Sequence, residues 1–427
     1  MAGEGPRTPS LRVGMECDAL VVGAGYTGLS TAIALRKLGW NVTVLEREYV
    51  GWGASGRNAG HLTPTIGKDL PTLARFFGAE RARALAALVE TAITHVEHSI
   101  ADWDLACDYE PVGNVIAAVH PRQHKTIDAA AAAAKDLGIP GDLLDGDALR
   151  ARGLPSTFTR GLHFPHGGVL DPGKYVLELA RVASDAGVEI YERTPVVAVD
   201  AGHPVTVRTH GGHVRARLVV IATNAFTPEL GHLRRQMIPV QVSLFRTAPL
   251  SDAQRAAVGW PGREGIYTAH EILESYRLTA DQRIVGGSKR IRYGFGGRHP
   301  ADDPDTYDFI IEAFRARFPM LRDVEISDCW SGSIAFALDF LPIVRRLGDS
   351  GNVYVSAGYA GHGVALASYA GRMIADLVTG ETGPGAVLAE HWTPPLPPEP
   401  LRWLAVHGIA GALAMMDRRV DRAVRPA

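Results

Sequence analysis

Cysteine is scarce. Cys17, Cys107 and Cys329 are the only three in 427 residues, too few and too scattered for a disulfide framework or a clustered zinc site. Net charge is lacking as well: 44 basic side chains nearly cancel 46 acidic ones, leaving −2. No global field is therefore expected to hold nucleic acid or an anionic membrane. No apolar run reaches the ~20 residues of a membrane span. The longest near an end, residues 401–416, is interrupted by His407. Residues 1–14 lack the apolar core of a signal peptide and read as a loose, Gly/Pro-rich tail. No repeat recurs along the chain, and no metal site is expected. What remains is globular composition, 46% hydrophobic and 21% charged. The length suggests two or three folding units at roughly 150 residues each. These features describe a cytoplasmic protein with a large core, most simply an enzyme.

The pattern from Asp18 to Glu46 changes period in a readable order. An apolar run with β-branched residues (ALVVG, 19–23) predicts a buried parallel strand. Apolar residues at helical spacing follow over 27–38, stopped by Gly39, and NVTVLE (41–46) reads as a second strand. Strand, Gly-rich turn, helix and strand make one βαβ unit. Further on, helices are predicted over 71–102, 127–137, 171–186 and 305–318. Strands are predicted over 113–119, 188–199 and 205–221, and the stretch 239–325 reads as antiparallel sheet with no βαβ rhythm. Near Val353 the strand, Gly-rich turn and helix return. A Pro-rich stretch, 393–400, precedes a final helix.

Gly23, Gly25 and Gly28 form G-x-G-x-x-G between the first strand and its helix. The first glycine permits the tight turn, the second lets a pyrophosphate approach the backbone, and the third lets helix and strand pack closely. The helix N-terminus, with Tyr26 and Thr27, offers free N–H groups to phosphate oxygens. Glu46 ends the next strand, where an acid accepts hydrogen bonds from ribose hydroxyls, and Arg47 follows it. An acid here suits FAD or NAD and disfavours the 2′-phosphate of NADP.

Residues 51–62 read GWGASGRNAGHL. This run resembles the second FAD-binding segment of the D-amino-acid-oxidase-like (DAO, or glycine-oxidase) flavoprotein superfamily. Its GASGRN-x-G form is most similar to the gamma-glutamylputrescine-oxidase-like amine oxidases. The resemblance implies FAD contacts from Ala54, Ser55, Arg57, Asn58, Ala59, Gly60 and His61. Three later segments extend it: a strand bearing Val196, the strand-to-loop step Ala222, Thr223 and Asn224, and the loop Gly358, Tyr359, Gly361, His362, Gly363 and Val364. It implies an α/β fold, with a Rossmann-type FAD-binding domain beside an antiparallel α+β substrate domain. The expected division gives residues 15–105, 155–225 and 331–392 to the first. Residues 106–154 and 226–330 fall to the second, and 393–427 form a linker and helix. Neither His61 nor Cys329 falls where a covalent tether usually sits, so the FAD is expected to be non-covalent.

In this family the cofactor carries the hard chemistry and the protein supplies orientation. The resemblance implies a small amine or amino-acid substrate, with O2 or another electron acceptor. His61 is either a base for the substrate ammonium near neutral pH or a packing residue. His362 is either catalytic or a loop residue whose backbone alone matters. Tyr276 and Arg277 sit on one predicted strand; Arg277 suits a carboxylate, but adjacent strand residues face opposite sides, so at most one enters a pocket. Lys289 reads as a surface lysine. Trp52, Tyr267, Phe336 and Tyr359 suit either a cavity wall or core. The last helix reads as packed on the protein body, or at a contact in a homo-oligomer, rather than on a membrane surface. Two other readings stay open: a 2-hydroxy-acid or polyol oxidase on the same fold, and a non-catalytic FAD-binding assembly factor.

Overall fold

The computed structural model describes residues 8–424, and the chain there builds two eight-stranded sheets. The first grows from the expected βαβ unit. Its apolar strand Met15–Val22 lies parallel to both Val42–Leu45 and Gly212–Ile221. The path runs outward to Val353–Ala357 and Ile343–Leu347 on one side and to Glu189–Tyr191 on the other. Val196–Asp200 and Val205–Thr209 add an antiparallel flap. Runs read as single strands over 188–199 and 205–221 are thus each broken in two. Helices Tyr26–Lys37 and Gly363–Thr379 pack on this sheet and on each other, and residues of both first turns line one cavity.

The second sheet runs in the order Ile326–Phe336, Ile238–Thr247, Ile284–Ser288, Glu274–Leu278, Gly265–Thr268, Asn114–Ala118, Arg160–Phe164 and Asp142–Asp145. All its pairs are antiparallel except Gly265–Thr268 with Asn114–Ala118. Strand alternation gives it two characters. One face carries Phe245 and Tyr276 into a core with Phe314 and Phe318. The other carries Tyr267, Arg277 and Trp330 against residues 57–61 of the nucleotide-binding half. This seam positions the site.

Several expectations change. Strands Arg160–Phe164 and Ile326–Phe336 join the second sheet, although 160–164 and 331–336 were grouped with the first. The N-terminal tail is not loose throughout: Thr8 N donates to Glu192 and Leu11 N to Thr194, and Leu11 is buried. Residues 1–7 of that tail lie outside the described residues. Lys289 is buried, not at the surface, because Glu274 and Asp421 neutralise it. Asp421 belongs to the last helix, Leu401–Val424, which is seated on the second sheet through this pair. Asp417 adds to the seat by accepting from the N–H groups of Glu271 and Ile272. Among the described residues no helix is long and apolar enough to cross a membrane.

Candidate functional site

The first βα turn is built for close approach. Gly23 has φ +106°, which an L side chain rarely adopts, and a Cβ on Gly28 would stand 1.8 Å from the Gly23 carbonyl oxygen. A Cβ on Gly25 would meet Ser55 Oγ at 2.7 Å. Ser55 Oγ instead accepts from Tyr26 N at 3.0 Å, which ties the second glycine-rich segment to the first helix. Helices Tyr26–Lys37 and Gly363–Thr379 both begin without a side-chain cap, at Gly25 and His362. Their first turns open into one cavity. Uncapped N–H groups and the aligned helix dipoles favour negative charge there. Tyr359, in the loop before the second helix, ties that loop and the strand Val353–Ala357 to the first helix: its hydroxyl bonds Thr27 Oγ1 at 2.7 Å and Ser356 Oγ at 2.6 Å.

Of the residues expected at the cofactor, Gly23, Gly25, Tyr26, Thr27, Glu46, Arg47, Ala54, Ser55, Asn58, Val196, Ala222, Thr223, Asn224, Tyr359, Gly361, Gly363 and Val364 line this cavity, and Trp52 lines it too. Gly28, Arg57, Ala59, Gly60, His61, Gly358 and His362, also expected at the cofactor, do not line it. Asn224 Oδ1 accepts from Gly358 N at 2.9 Å, holding the C-terminal loop to the strand-to-loop step. Asn58 folds back on its own turn, donating to the carbonyls of Ala54 and Ser55 and accepting from Gly60 N at 2.8 Å. Arg57, expected near phosphate, donates instead to the carbonyls of Trp52 at 2.6 Å and Ser331 at 3.0 Å. It therefore joins the two halves of the chain. Thr194, Phe226, Ser333 and Ile334 also line the cavity and were not anticipated. Phe226 has a recognisable partner only in three dimensions, where the Arg47 guanidinium lies 4.2 Å from its ring centroid and 4.7 Å from that of Trp52.

Glu46 is buried and accepts from Ala24 N at 2.8 Å and Glu48 N at 3.0 Å. Burial raises its pKa above the ordinary carboxylate value, and those N–H groups and Arg47 only partly oppose this. A buried acid held this way gains from further donors, which ribose hydroxyls supply. Two uncapped helix ends, a glycine cradle that a Cβ would fill, and this acid fit a dinucleotide. The matching family model, described as FAD dependent oxidoreductase (DAO), covers residues 18–377. The chain belongs to the DAO family of FAD-dependent oxidoreductases.

It is 32% identical over 384 residues to gamma-glutamylputrescine oxidoreductase of Escherichia coli (strain K12), covering 87% of this chain and 86% of that one. A probable oxidoreductase, OrdL, of Haemophilus influenzae is 30% identical over 371 residues, covering 85% and 83%. Among solved structures, glycine oxidase from Geobacillus kaustophilus superposes with a TM-score of 0.72 at 20% identity, over 88% of this chain and 99% of that one. L-Proline dehydrogenase from P. horikoshii gives 0.72 at 19%, over 88% and 95%. The DAO-family α/β architecture with its second, antiparallel sheet is as the sequence implied.

The four residues put forward for chemistry separate. Tyr276 points into the aromatic core of the far face, its hydroxyl donating to Glu274 at 3.0 Å, away from the seam. Arg277 faces the seam and is buried, with Nε donating to Ala59 O at 2.5 Å. Strand parity allowed only one of this pair inward, and it is Arg277. His362 donates from Nδ1 to Ala360 O at 3.0 Å, and burial lowers its pKa. His61 is buried at the seam, three residues beyond Asn58, with Nδ1 3.1 Å from Asn114 Oδ1 and its ring 4.5 Å from that of Tyr267. Its Nε2 is buried with no hydrogen-bond partner among the described residues. Burial pushes the His61 pKa down to about 4; the Asn114 bond partly opposes this and the charge of Arg277 adds to it. The imidazole, open in the sequence between a base and a packing residue, is thus held in its neutral form by burial. Asn114, which holds it, was not anticipated.

Proposed function

We propose that the protein oxidises a C–N bond of a small amine or amino acid with non-covalently held FAD. FAD held by the glycine turn, the two helix N-termini and Glu46 would supply the electron sink for hydride loss from the carbon that bears nitrogen, the imine product being hydrolysed by water and O2 or another acceptor taking the electrons on. The uncapped N-terminus of Gly363–Thr379 would favour the negative charge that reduction adds to a cofactor held there. The observation that carries the reading is His61: a neutral, buried ring at the end of the segment 51–62 whose Nε2 has no partner among the described residues. An uncharged amine can donate an N–H to that nitrogen, which orients the carbon it bears. An ammonium group loses its proton to solvent on the way in, because an imidazole with a pKa near 4 is a poor acceptor for it. Relatives named for amine or amino-acid chemistry support the substrate class. The non-covalent part is supported by Cys329 packing toward the far-face core and by neither Cys329 nor His61 lining the cavity.

The test is anaerobic mixing of the purified protein with amines, amino acids and 2-hydroxy acids. Bleaching of the flavin by an amine or amino acid is expected. Bleaching by hydroxy acids alone would overturn the C–N assignment, and bleaching by none would favour a binding role. Flavin released intact on denaturation supports non-covalent attachment; flavin retained on the precipitated chain contradicts it.

A further inference from the structure

The described partner of His61 is a side chain with no freedom to turn. Asn114 is fully buried on its strand, paired in register with Gly265 on one side and Phe164 on the other. Its Nδ2 donates to Leu62 O at 2.7 Å and reaches Gly168 O at 3.4 Å. Both acceptors are carbonyl oxygens. Rotating the carboxamide by half a turn would set Oδ1 against them and lose both bonds, so the amide orientation follows from its surroundings. Oδ1 is then the atom that faces His61 Nδ1, at 3.1 Å. An amide oxygen only accepts, so Nδ1 must carry the hydrogen. A neutral imidazole carries one such hydrogen, which leaves Nε2 with a lone pair.

We propose that Asn114 is a positioning residue that fixes His61 in the Nδ1–H tautomer, so that Nε2 meets the substrate as a permanent hydrogen-bond acceptor. The substrate half of this statement rests on the function proposed above; the tautomer half does not. Two neighbours make the arrangement rigid. A Cβ on Gly265 would lie 2.2 Å from Asn114 Oδ1 and 2.3 Å from His61 Nδ1, so the bond is built over a position that only glycine fits. The Tyr267 ring bounds the imidazole at 4.5 Å. Asn114 also spans two elements. Leu62 and Gly168, whose carbonyls it binds, are paired across the short ribbon that carries His61, so one amide ties that ribbon to the second sheet. The consequence for specificity is a demand for an N–H or O–H donor at Nε2. A group that only accepts, such as a carboxylate, is excluded from that point. The ionisable and charged groups facing the ring are Arg277, whose charge adds to the lowering of its pKa, and the hydroxyl of Tyr267, which burial keeps neutral.

The experiment is ¹⁵N spectroscopy of histidine-labelled holoenzyme, with the His61 signals assigned by their loss in His61→Phe. The expected wild-type result is a protonated, pyrrole-like Nδ1 and an unprotonated, pyridine-like Nε2, unchanged from pH 6 to 9. A reversed or mixed tautomer would overturn the proposal, and this requires no variant of Asn114 to fold. Asn114→Asp keeps an acceptor at Nδ1 but adds charge, and is expected to raise the His61 pKa so that the ring titrates in the measured range. In Asn114→Leu the tautomers should mix and anaerobic flavin reduction should slow by roughly 10-fold or more, since a misplaced positioning contact costs up to about 10²-fold. FAD content should stay at the wild-type level. A wild-type tautomer as assigned, with reduction unchanged in Asn114→Leu, would leave the tautomer standing and overturn the contact between His61 and substrate.

Discussion

Two buried glutamates divide the molecule between them. Glu46, at the nucleotide cradle, is met by two backbone N–H groups, and burial raises its pKa. Glu274, in the second sheet, is met by a bidentate Arg317 at 2.9 Å from both oxygens, by Lys289 and by the Tyr276 hydroxyl. Burial alone would raise its pKa too, but Arg317, Lys289 and His270 outweigh it and hold the group at about 2. Asp421 of the last helix closes the same knot against Lys289 and Arg317. His270, Glu274 and Asp421 also lie close enough to share a metal ion, yet their oxygens are already engaged by two cations, which makes this an ion-pair network. An acid with capacity to spare marks a site that a ligand completes. An acid saturated by cations marks a staple.

The pH dependences of the two should have opposite signs. Glu274 has a folded pKa below its ordinary 4.5, so its stabilisation is fully present above 4.5 and is lost as pH falls through about 2. Glu46 has a folded pKa above 4.5 in the free protein, so its ionisation costs stability as pH rises through that raised value. Ribose hydroxyls donating to Glu46 favour the ionised form, so FAD binding should weaken as pH falls through the same range.

The largest expected effect separates the regions outright. Gly25→Val should give nearly apo protein, since its side chain would collide with Ser55 Oγ and fill the phosphate approach. Its melting temperature should fall by the lost ligand linkage, while the acid limb set by Glu274 stays in place. Full FAD occupancy in this variant, read by absorbance, would show that the cradle is misassigned. Next is Glu274→Gln, which leaves Asp421 as the one carboxylate facing the two buried cations Arg317 and Lys289. The expected cost is about 3–5 kcal/mol in denaturant unfolding, with earlier proteolysis of the last helix and FAD affinity unchanged. A loss of FAD affinity equal to the loss of stability would erase the distinction drawn here. The smallest effect is at Glu46→Gln. FAD affinity should fall by about tenfold, the scale of one hydrogen bond to a charged group, and its pH dependence between 5 and 8 should flatten. An unchanged slope by fluorescence titration would move that dependence to another group.

What was legible in the sequence follows the range of the interactions. Gly23, Gly25, Gly28 and Glu46 act through a local turn and the next strand, so spacing reveals them. Helix Pro172–Asp185 announces itself through Asp171, which caps Lys174 N at 2.8 Å, and through Pro172. Lys289 was misread because Glu274 meets it only through the register of a strand pair, Glu274 opposite Ser288, and Asp421 comes from the final helix. Asn114 gave no signal, since an asparagine inside an apolar strand acquires a role only when residues 61, 62 and 168 are folded beside it. Tyr276 and Arg277 show the intermediate case. Strand parity required a choice between them, and only the packing of the second sheet says which faces the seam.

The most direct test of the account is the rate of anaerobic flavin reduction by one reactive amine across pH 6 to 10, in wild type and in His61→Ala. With His61 neutral throughout, both proteins should share a single rise toward high pH set by the substrate's own ammonium. The variant should be slower at every pH by about 10²-fold, the scale of losing substrate orientation, with FAD content unchanged. A wild-type limb near neutral pH that disappears in His61→Ala would show the imidazole titrating as a base and contradict the neutral-acceptor reading. Equal rates in the two proteins would remove His61 from the reaction.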